Sequence, residues 1–304
     1  MARHLVVGTG LIGRELAEQL VARGDTVIAA SRSGTVVAGA DAMRLDAADA
    51  DAFGAAAVGA DTIFLCTNPP YPAWATDWPP VFVAAIEAAR RSGAGLVLMG
   101  NLYAYGVPDG PMTERTPLHP AETKGEVRRD GWFVARAAHE RGELRAVEVR
   151  ASDYFGPNAK GTAHLGESFF RAVLNSKKAM VVGDPIAPHS WSYLPDIATT
   201  LVAAADFSSE WGRVWHVPSN EPLSRTEIAA QVNARYGTSG RVAGYPPWML
   251  RTLGRFNPTM REVEASSYQF RMPFVIDSAE TERLLGVSAT PWPEALFRTA
   301  DSYR

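Results

Sequence analysis

The chain has little of three things: cysteine, net charge and long apolar runs. Its one cysteine, Cys66, excludes an internal disulfide and fits a reducing compartment. Inside an apolar run it reads as a small hydrophobe. The formal net charge is −3, so no basic field is available to hold a nucleic-acid backbone or an anionic membrane. No apolar stretch approaches the ~20 residues that cross a bilayer, and the first residues lack a secretory n-region. The expectation is a cytoplasmic protein with a small-molecule substrate and no nucleic-acid or membrane partner. The six histidines, His4, His119, His139, His164, His189 and His216, are scattered, with no H-x-x-x-H or C-x-x-C, so no metal is expected. Neither a G-x-S-x-G elbow nor a Walker lysine points to a hydrolase or a nucleoside triphosphatase. What the chain does have is ordinary globular material. Its 304 residues, 46% hydrophobic and 21% charged, suffice for one large domain or two moderate ones.

The most informative segment is 5–20, LVVGTGLIGRELAEQL. An apolar run turns at Gly8-Thr9-Gly10 and passes through Leu11, Ile12 and Gly13 into a helical pattern. In such a G-x-G-x-x-G, Gly8 makes the tight turn and Gly10 admits a pyrophosphate to the backbone. Gly13 lets the helix pack closely on the sheet. The free N–H groups and positive end of the helix then face the phosphates. Placed directly after a buried strand, the pattern predicts dinucleotide binding.

From residue 3 to about 150, short apolar runs at 26–30, 62–66, 96–99 and 146–149 alternate with amphipathic stretches at 48–57, 81–91 and 127–141. Such alternation predicts an α/β fold, a doubly wound parallel Rossmann sheet, with ligands bound beyond the carboxyl ends of its strands. After Pro157 the alternation loosens. Helices are expected at 167–174, 195–205 and 226–236, the last capped by Ser224, with a short strand at 179–182. The expected organisation is a dinucleotide-binding domain over 1–157, with 189–206 returning to it. A smaller C-terminal α/β substrate domain over 158–304 completes it.

Cofactor choice is read at the end of the second strand. An NAD site usually places Asp or Glu there to bind the ribose 2′-OH. This chain has Ser31-Arg32-Ser33 instead, and Asp25 lies at the strand's other end. Arg32 can fork onto a 2′-phosphate with help from Ser31 and Ser33, so NADP(H) is favoured over NAD(H). Asp46, at a further strand end, can accept from the adenine amino group or cap a helix.

Together, VVGTGLIG, Tyr103-Ala104-Tyr105-Gly106, the segment 113–120 (TERTPLHP), 150–157 (RASDYFGP) and Ser192-Tyr193-Leu194-Pro195-Asp196 resemble an extended short-chain dehydrogenase/reductase of the NAD-dependent epimerase/dehydratase family. The resemblance covers nearly the whole chain. It implies hydride exchange with a nicotinamide, a Ser or Thr four residues before the YG pair, and a Tyr-x-x-x-Lys pair whose phenol moves the proton. Here the sequence departs: Asn101, Lys124 and Arg128 stand at those three positions, and no tyrosine occurs between Tyr105 and Tyr154. Arg128 can hold a cofactor ribose or phosphate. Lys124 is a candidate proton donor if burial and Arg128 depress its pKa, with Tyr103 and Tyr105 as rivals near the substrate.

The resemblance also sets Thr67 and Asn68 beside the nicotinamide ribose, and Asp153, His164, His189, Trp191 and Tyr193 against substrate. It pairs the helices at 81–91 and 127–141 across a two-fold axis, where Trp132 and Phe133 could anchor a homodimer. The expected activity is that of an NADP(H)-dependent oxidoreductase or epimerase acting on a small carbonyl or hydroxyl compound through a non-standard donor. The alternatives are a non-catalytic NADP(H)-binding sensor, or a lyase or isomerase that uses the cofactor transiently or structurally.

Overall fold

The computed structural model of the chain describes residues 1–161, 163–207 and 209–304. Its first half alternates as expected: β1 (Arg3–Val7), α1 (Leu11–Ala22), β2 (Thr26–Ser31), β3 (Asp41–Arg44), α2 (Ala50–Ala56), β4 (Thr62–Leu65), α3 (Trp74–Ser92), β5 (Gly95–Asn101), α4 (Thr123–Glu140) and β6 (Arg145–Ala151). Then follow β7 (Asp153–Phe155), α5 (Glu167–Leu174), β8 (Lys178–Val181), β9 (Trp191–Tyr193), α6 (Leu194–Asp206), β10 (Val214–His216), α7 (Arg225–Tyr236) and β11 (Arg241–Gly244). Four short helices finish the chain: α8 (Pro247–Gly254), α9 (Pro258–Ala265), α10 (Ala279–Leu285) and α11 (Trp292–Asp301).

The central sheet has seven parallel strands in the order β10-β6-β5-β4-β1-β2-β3. Strands such as β4 are buried along their whole length because helices cover both faces. One face buries Phe53, Trp78 and Phe82 with α2, α3 and α4; the other buries Leu16, Ile197 and Leu201 with α1 and α6. The chain winds outward from β1 to β3, then restarts at β4 on the other side of β1. That reversal opens a crevice at the carboxyl ends of β1 and β4, the place where such sheets bind ligands.

Three differences from the sequence expectations have physical causes. First, α3 begins well before the predicted 81, running through Pro79 and Pro80. Each proline removes a backbone hydrogen bond, but both are exposed, so water can satisfy the freed carbonyls. The Trp74–Trp78–Phe82 series at helical spacing, edge-to-face in its first pair and stacked in its second, forms the buried stripe that α3 turns to the core. Second, the return to the sheet begins at α6 rather than at 189, since β9 pairs with β7 in the second lobe, and it extends beyond 206 to β10, whose three residues are too few to show a period. Third, Trp132 is 3% exposed and packs inward, so it cannot anchor a dimer; Val83, Phe133 and Val134 are the exposed apolar residues of α3 and α4. Gly131 permits this packing, since a Cβ there would overlap the Phe82 ring.

The second lobe has its own core of Phe155, Phe170, Trp191, Ile228 and Leu296. Its strands form two parallel pairs, β7–β9 and β8–β11. Ser224 caps α7 as expected: Glu227 N–H donates to its Oγ at 3.2 Å while Ser224 N–H donates back to the Glu227 carboxylate at 2.8 Å. No helix among the described residues is long and apolar enough to cross a membrane.

Candidate active site

The glycine turn has the geometry its spacing demands. Gly8 sits at φ +106°, a conformation L side chains rarely adopt, and a Cβ on Gly13 would overlap the Gly8 carbonyl. Around Gly10 the space is open: a Cβ built there meets nothing within 4 Å. α1, opening at Leu11, has no side-chain cap and no acid in its first turn. Its first N–H groups are therefore free to bind an anion. A cleft of about 690 Å³ runs from this turn past Thr9, Ser31, Arg32, Ser33 and Asp46 to Thr67 and Asn68. Arg32 is exposed and has no carboxylate partner among the described residues. Asp25 is consumed at the far end of β2, accepting from Arg23 at 2.5 Å and from Ala2 N–H at 3.0 Å. Asp46 accepts from Ala48 N–H at 3.0 Å, whereas the cap of α2 is Asp49. Open space at Gly10 and an uncapped helix end fit a dinucleotide pyrophosphate.

Through the shared walls Cys66, Thr67 and Asn68, the cleft continues into a second cavity of about 120 Å³ at the ends of β4, β5 and β6. Ile12 also lines it. Here Tyr71 and Tyr103 share a hydrogen bond between their phenols at 3.0 Å. Burial pushes the Tyr71 phenol up to about 12, partly offset by its bond to Tyr103, and carries Tyr103 well above its ordinary 10. Asn101 accepts from Tyr103 N–H at 3.1 Å, which leaves its amide NH₂ as the remaining donor. Arg128 is 7% exposed; it donates to the Met99 carbonyl and lies 4.5 Å from the centre of the Trp78 ring. Its Nε is buried without a hydrogen-bond partner, which leaves a donor for an acceptor on a bound group. Burial lowers its guanidinium to about 10.

Across from the phenols, Asp153 lies between two imidazoles. Its carboxylate is 3.0 Å from His189 Nε2 and 4.0 Å from His164 Nε2. Burial pushes the carboxyl up, but the His189 hydrogen bond and the two rings outweigh it and hold Asp153 below its usual value. For His164, burial lowers the imidazole more than the Asp153 charge raises it. Asp153 and His164 line the cavity. His189 stands behind Asp153, its Nδ1 at 3.2 Å from the Gln269 carbonyl.

Several expected site residues lie elsewhere. Lys124 is 1% exposed and does not line the cavity. Its ammonium is held at 2.9 Å from both Glu122 and Glu262 carboxylates and at 3.1 Å from the Glu262 carbonyl. With all three hydrogens committed, it is a tether between α4 and α9 rather than a group presented to the cavity. Tyr105 points the other way, bonding His216 at 2.7 Å in the core. Trp191 donates to the Leu223 carbonyl at 2.9 Å, and Tyr193 packs on Phe155; both belong to the second lobe's interior. Between them Ser192 takes the opposite face, accepting from Ser152 N–H at 3.0 Å, and period alone could not say which face was which. Sequence reasoning also missed Tyr71, Trp74, Gln269 and Phe274. Asn68-Pro69-Pro70-Tyr71 directly after a strand end was a usable signal for Tyr71. Gln269 and Phe274 arrive from far along the chain and carry no local sign.

The fold is shared with several solved sugar-nucleotide enzymes. UDP-glucose 4-epimerase of Thermotoga maritima, solved with UDP-glucose, superposes with a TM-score of 0.81 at 17% identity, over 99% of this chain and 98% of that one. UDP-glucuronic acid 4-epimerase of Bacillus cereus, in complex with UDP-glucuronic acid and NAD, gives 0.78 at 16% identity over 99% and 98%. The DesIV dTDP-glucose 4,6-dehydratase double mutant of Streptomyces venezuelae, with NAD bound, gives 0.77 at 20% identity over 99% and 97%. Among curated proteins none matches at the level of sequence. A model of one family matches residues 4–217, most of the chain and all of the glycine turn, so the chain belongs to the NAD dependent epimerase/dehydratase family of enzymes.

Proposed function

We propose that the protein is an NADP(H)-dependent oxidoreductase or epimerase of the extended short-chain dehydrogenase type, acting on a small carbonyl or hydroxyl compound. The observation that carries this reading is the continuity of the glycine-lined cleft with a cavity holding paired phenols. A bound nicotinamide supplies or accepts a hydride at the substrate carbon. The Tyr71–Tyr103 pair handles the proton. One phenol donates to the other, which leaves one O–H free for the substrate oxygen, and burial keeps both protonated at neutral pH. Loss of that proton leaves a phenolate still hydrogen-bonded by its neighbour. Asn101 adds a donor to the same oxygen, and Arg128 holds the ribose. Thr67 and Asn68 flank it. Arg32, Ser31 and Ser33, with no acid at the end of β2, support NADP(H) over NAD(H).

The competing reading is a dinucleotide-binding sensor without turnover, favoured by the burial of Lys124 in ion pairs at the position where the family resemblance implies the catalytic tyrosine. Mixing the protein with NADPH and a panel of ketones separates the two. Loss of reduced-nicotinamide absorbance with any ketone excludes the sensor; tight binding with no oxidation across the panel counts against the reductase. We further propose a homodimer through the exposed Val83, Phe133 and Val134 of α3 and α4, and a cytoplasmic location, consistent with the single thiol. Sedimentation of the wild type against Phe133→Glu tests the dimer: the variant should run as a monomer.

A further inference from the structure

Between β11 and the cavity wall the chain makes a two-helix hairpin, and none of residues 246–261 lines the cleft or the cavity. α8 and α9 pack on each other at a close crossing, where a Cβ on Gly254 would stand 3.2 Å from the Arg261 Cα. Leu250 and Gly254 form the buried side of α8. Trp248, Arg251 and Arg255, at helical spacing, take its outer side together with Thr252. The hairpin is fixed to the body through α9, where Glu262 meets Lys124 and the helix packs on the 71–73 turn.

Its outer surface is unusually apolar. Trp248 is 68%, Leu253 41% and Phe256 86% exposed. Among the described residues the exposed aromatic rings are these two and Phe133. Scattered apolar side chains are ordinary on a soluble surface, but three within one short hairpin form a patch with a purpose. Phe256 lies in the turn that joins the helices, so the patch is a projecting tip and not a groove. A tip offers little area to a protein partner, whose stable interface takes about 800 Å² a side.

The charge around the tip has one sign. From Arg241 to Arg261 the sequence holds four arginines and no aspartate or glutamate, in a chain with 33 acids to 30 bases. All four arginines are exposed. The acids that follow are already engaged: Glu262 on Lys124, and Glu264 between Arg251 at 3.8 Å and Arg271 at 3.7 Å. The net charge of −3 describes the whole surface. At physiological salt, charges more than ~8 Å apart are largely screened, so the local sign decides what approaches the tip.

Exposed Trp and Phe beside arginines suit the boundary of a bilayer, where rings enter the headgroup layer and guanidinium groups meet lipid phosphates. We infer that the α8–α9 hairpin docks the protein on an anionic lipid surface, with Trp248 and Phe256 entering the headgroup layer and Arg251, Arg255 and Arg261 lying over its phosphates. An acidic protein would match the arginines but leave the projecting rings without a use. A second copy paired through the same patch would set arginine against arginine. Docking needs neither nucleotide nor turnover, so it stands or falls apart from the hydride-transfer reading.

The test is co-sedimentation of the full chain, without nucleotide, with phosphatidylcholine vesicles containing about one third phosphatidylglycerol. The wild type should bind these at least about tenfold more tightly than pure phosphatidylcholine. The preference should vanish in ~1 M salt, where the screening length falls to ~3 Å. Arg251→Gln, Arg255→Gln and Arg261→Gln should each cost about fivefold, and the three together about 10²-fold. Trp248→Ser combined with Phe256→Ser should cost at least about tenfold. All five side chains face solvent, so an unchanged melting temperature verifies that each variant folds. No binding to the anionic vesicles, equal binding to both kinds, or arginine variants that bind like the wild type overturn the proposal. Binding untouched by loss of the two rings also overturns it and marks a site for an acidic protein. Self-association that Phe256→Ser abolishes overturns it as well, and marks a face between copies of the chain.

Discussion

The cofactor cleft and the substrate cavity share three residues and are otherwise made in opposite ways. The cleft is built from backbone: a glycine turn, an uncapped helix end, and a loop of Ser31, Arg32 and Ser33, each complete within a few residues of chain. The cavity is built from side chains of Tyr71, Tyr103, Asp153, His164 and Gln269, brought together across most of the sequence. Backbone geometry tolerates almost no change at its glycines, whereas a side-chain constellation can exchange members while the fold stays. The contrast fits a chain that keeps the glycine turn while its proposed proton donors, Tyr71 and Tyr103, come from separate elements.

Glycine substitutions should show the largest effect and break the comparison most directly. Gly13→Ala places a Cβ on the Gly8 carbonyl and should abolish NADPH binding with a loss of melting temperature. Gly10→Ala meets no protein atom, so it should melt like the wild type yet bind NADPH at least about tenfold more weakly. Normal binding by Gly10→Ala places the pyrophosphate elsewhere. Next come the phenols. Tyr71→Phe and Tyr103→Phe should each leave NADPH affinity unchanged, and the true donor should lose about 10²–10⁴ in turnover. Rates unchanged from the wild type in both variants would remove the phenol pair from the mechanism.

Lys124→Met sharpens the contrast between tether and catalyst. Leaving Glu122 and Glu262 without their cation should cost about 3 kcal/mol of stability in chemical denaturation. Turnover per folded molecule should persist; its disappearance at full cofactor affinity returns Lys124 to the donor role. Arg32→Ala should weaken NADPH by about 1.5–3 kcal/mol and NADH hardly at all, measured by fluorescence titration. The effect that is smallest at neutral pH, and grows only on acidification, belongs to the far edge of the sheet. Burial holds His216 at about 3, so it stays neutral when folded, with Tyr105 and the Asp277 carbonyl as partners. Below its unfolded value near 6.5 the unfolded chain binds the extra proton, so stability falls with pH by up to about 1.4 kcal/mol per unit until about 3. His216→Gln should flatten that part of the melting profile.

Legibility followed the same divide. The helix at 167–174, the Ser224 cap and the strand ends from Gly8 to Asp153 could be read because each depends on neighbours in sequence. α3 was read short because Pro79-Pro80 is a local stop signal, while the contacts that dock its first turns, Arg128 over the Trp78 ring and Tyr103 against Trp74, are tertiary. Lys124 looked catalytic by position, and only α9, folding back over a hundred residues later, brings the Glu262 that neutralises it.

From the order of its residues alone, this chain specifies a parallel α/β sheet opening on a phosphate-binding turn, since strand burial, helix caps and glycine torsions are local quantities. Which phenol meets which, where Asp153 finds its imidazoles and how small the cavity becomes were decided by the assembled tertiary structure. Those properties come from packing between segments distant in the chain, and no local pattern encodes that packing.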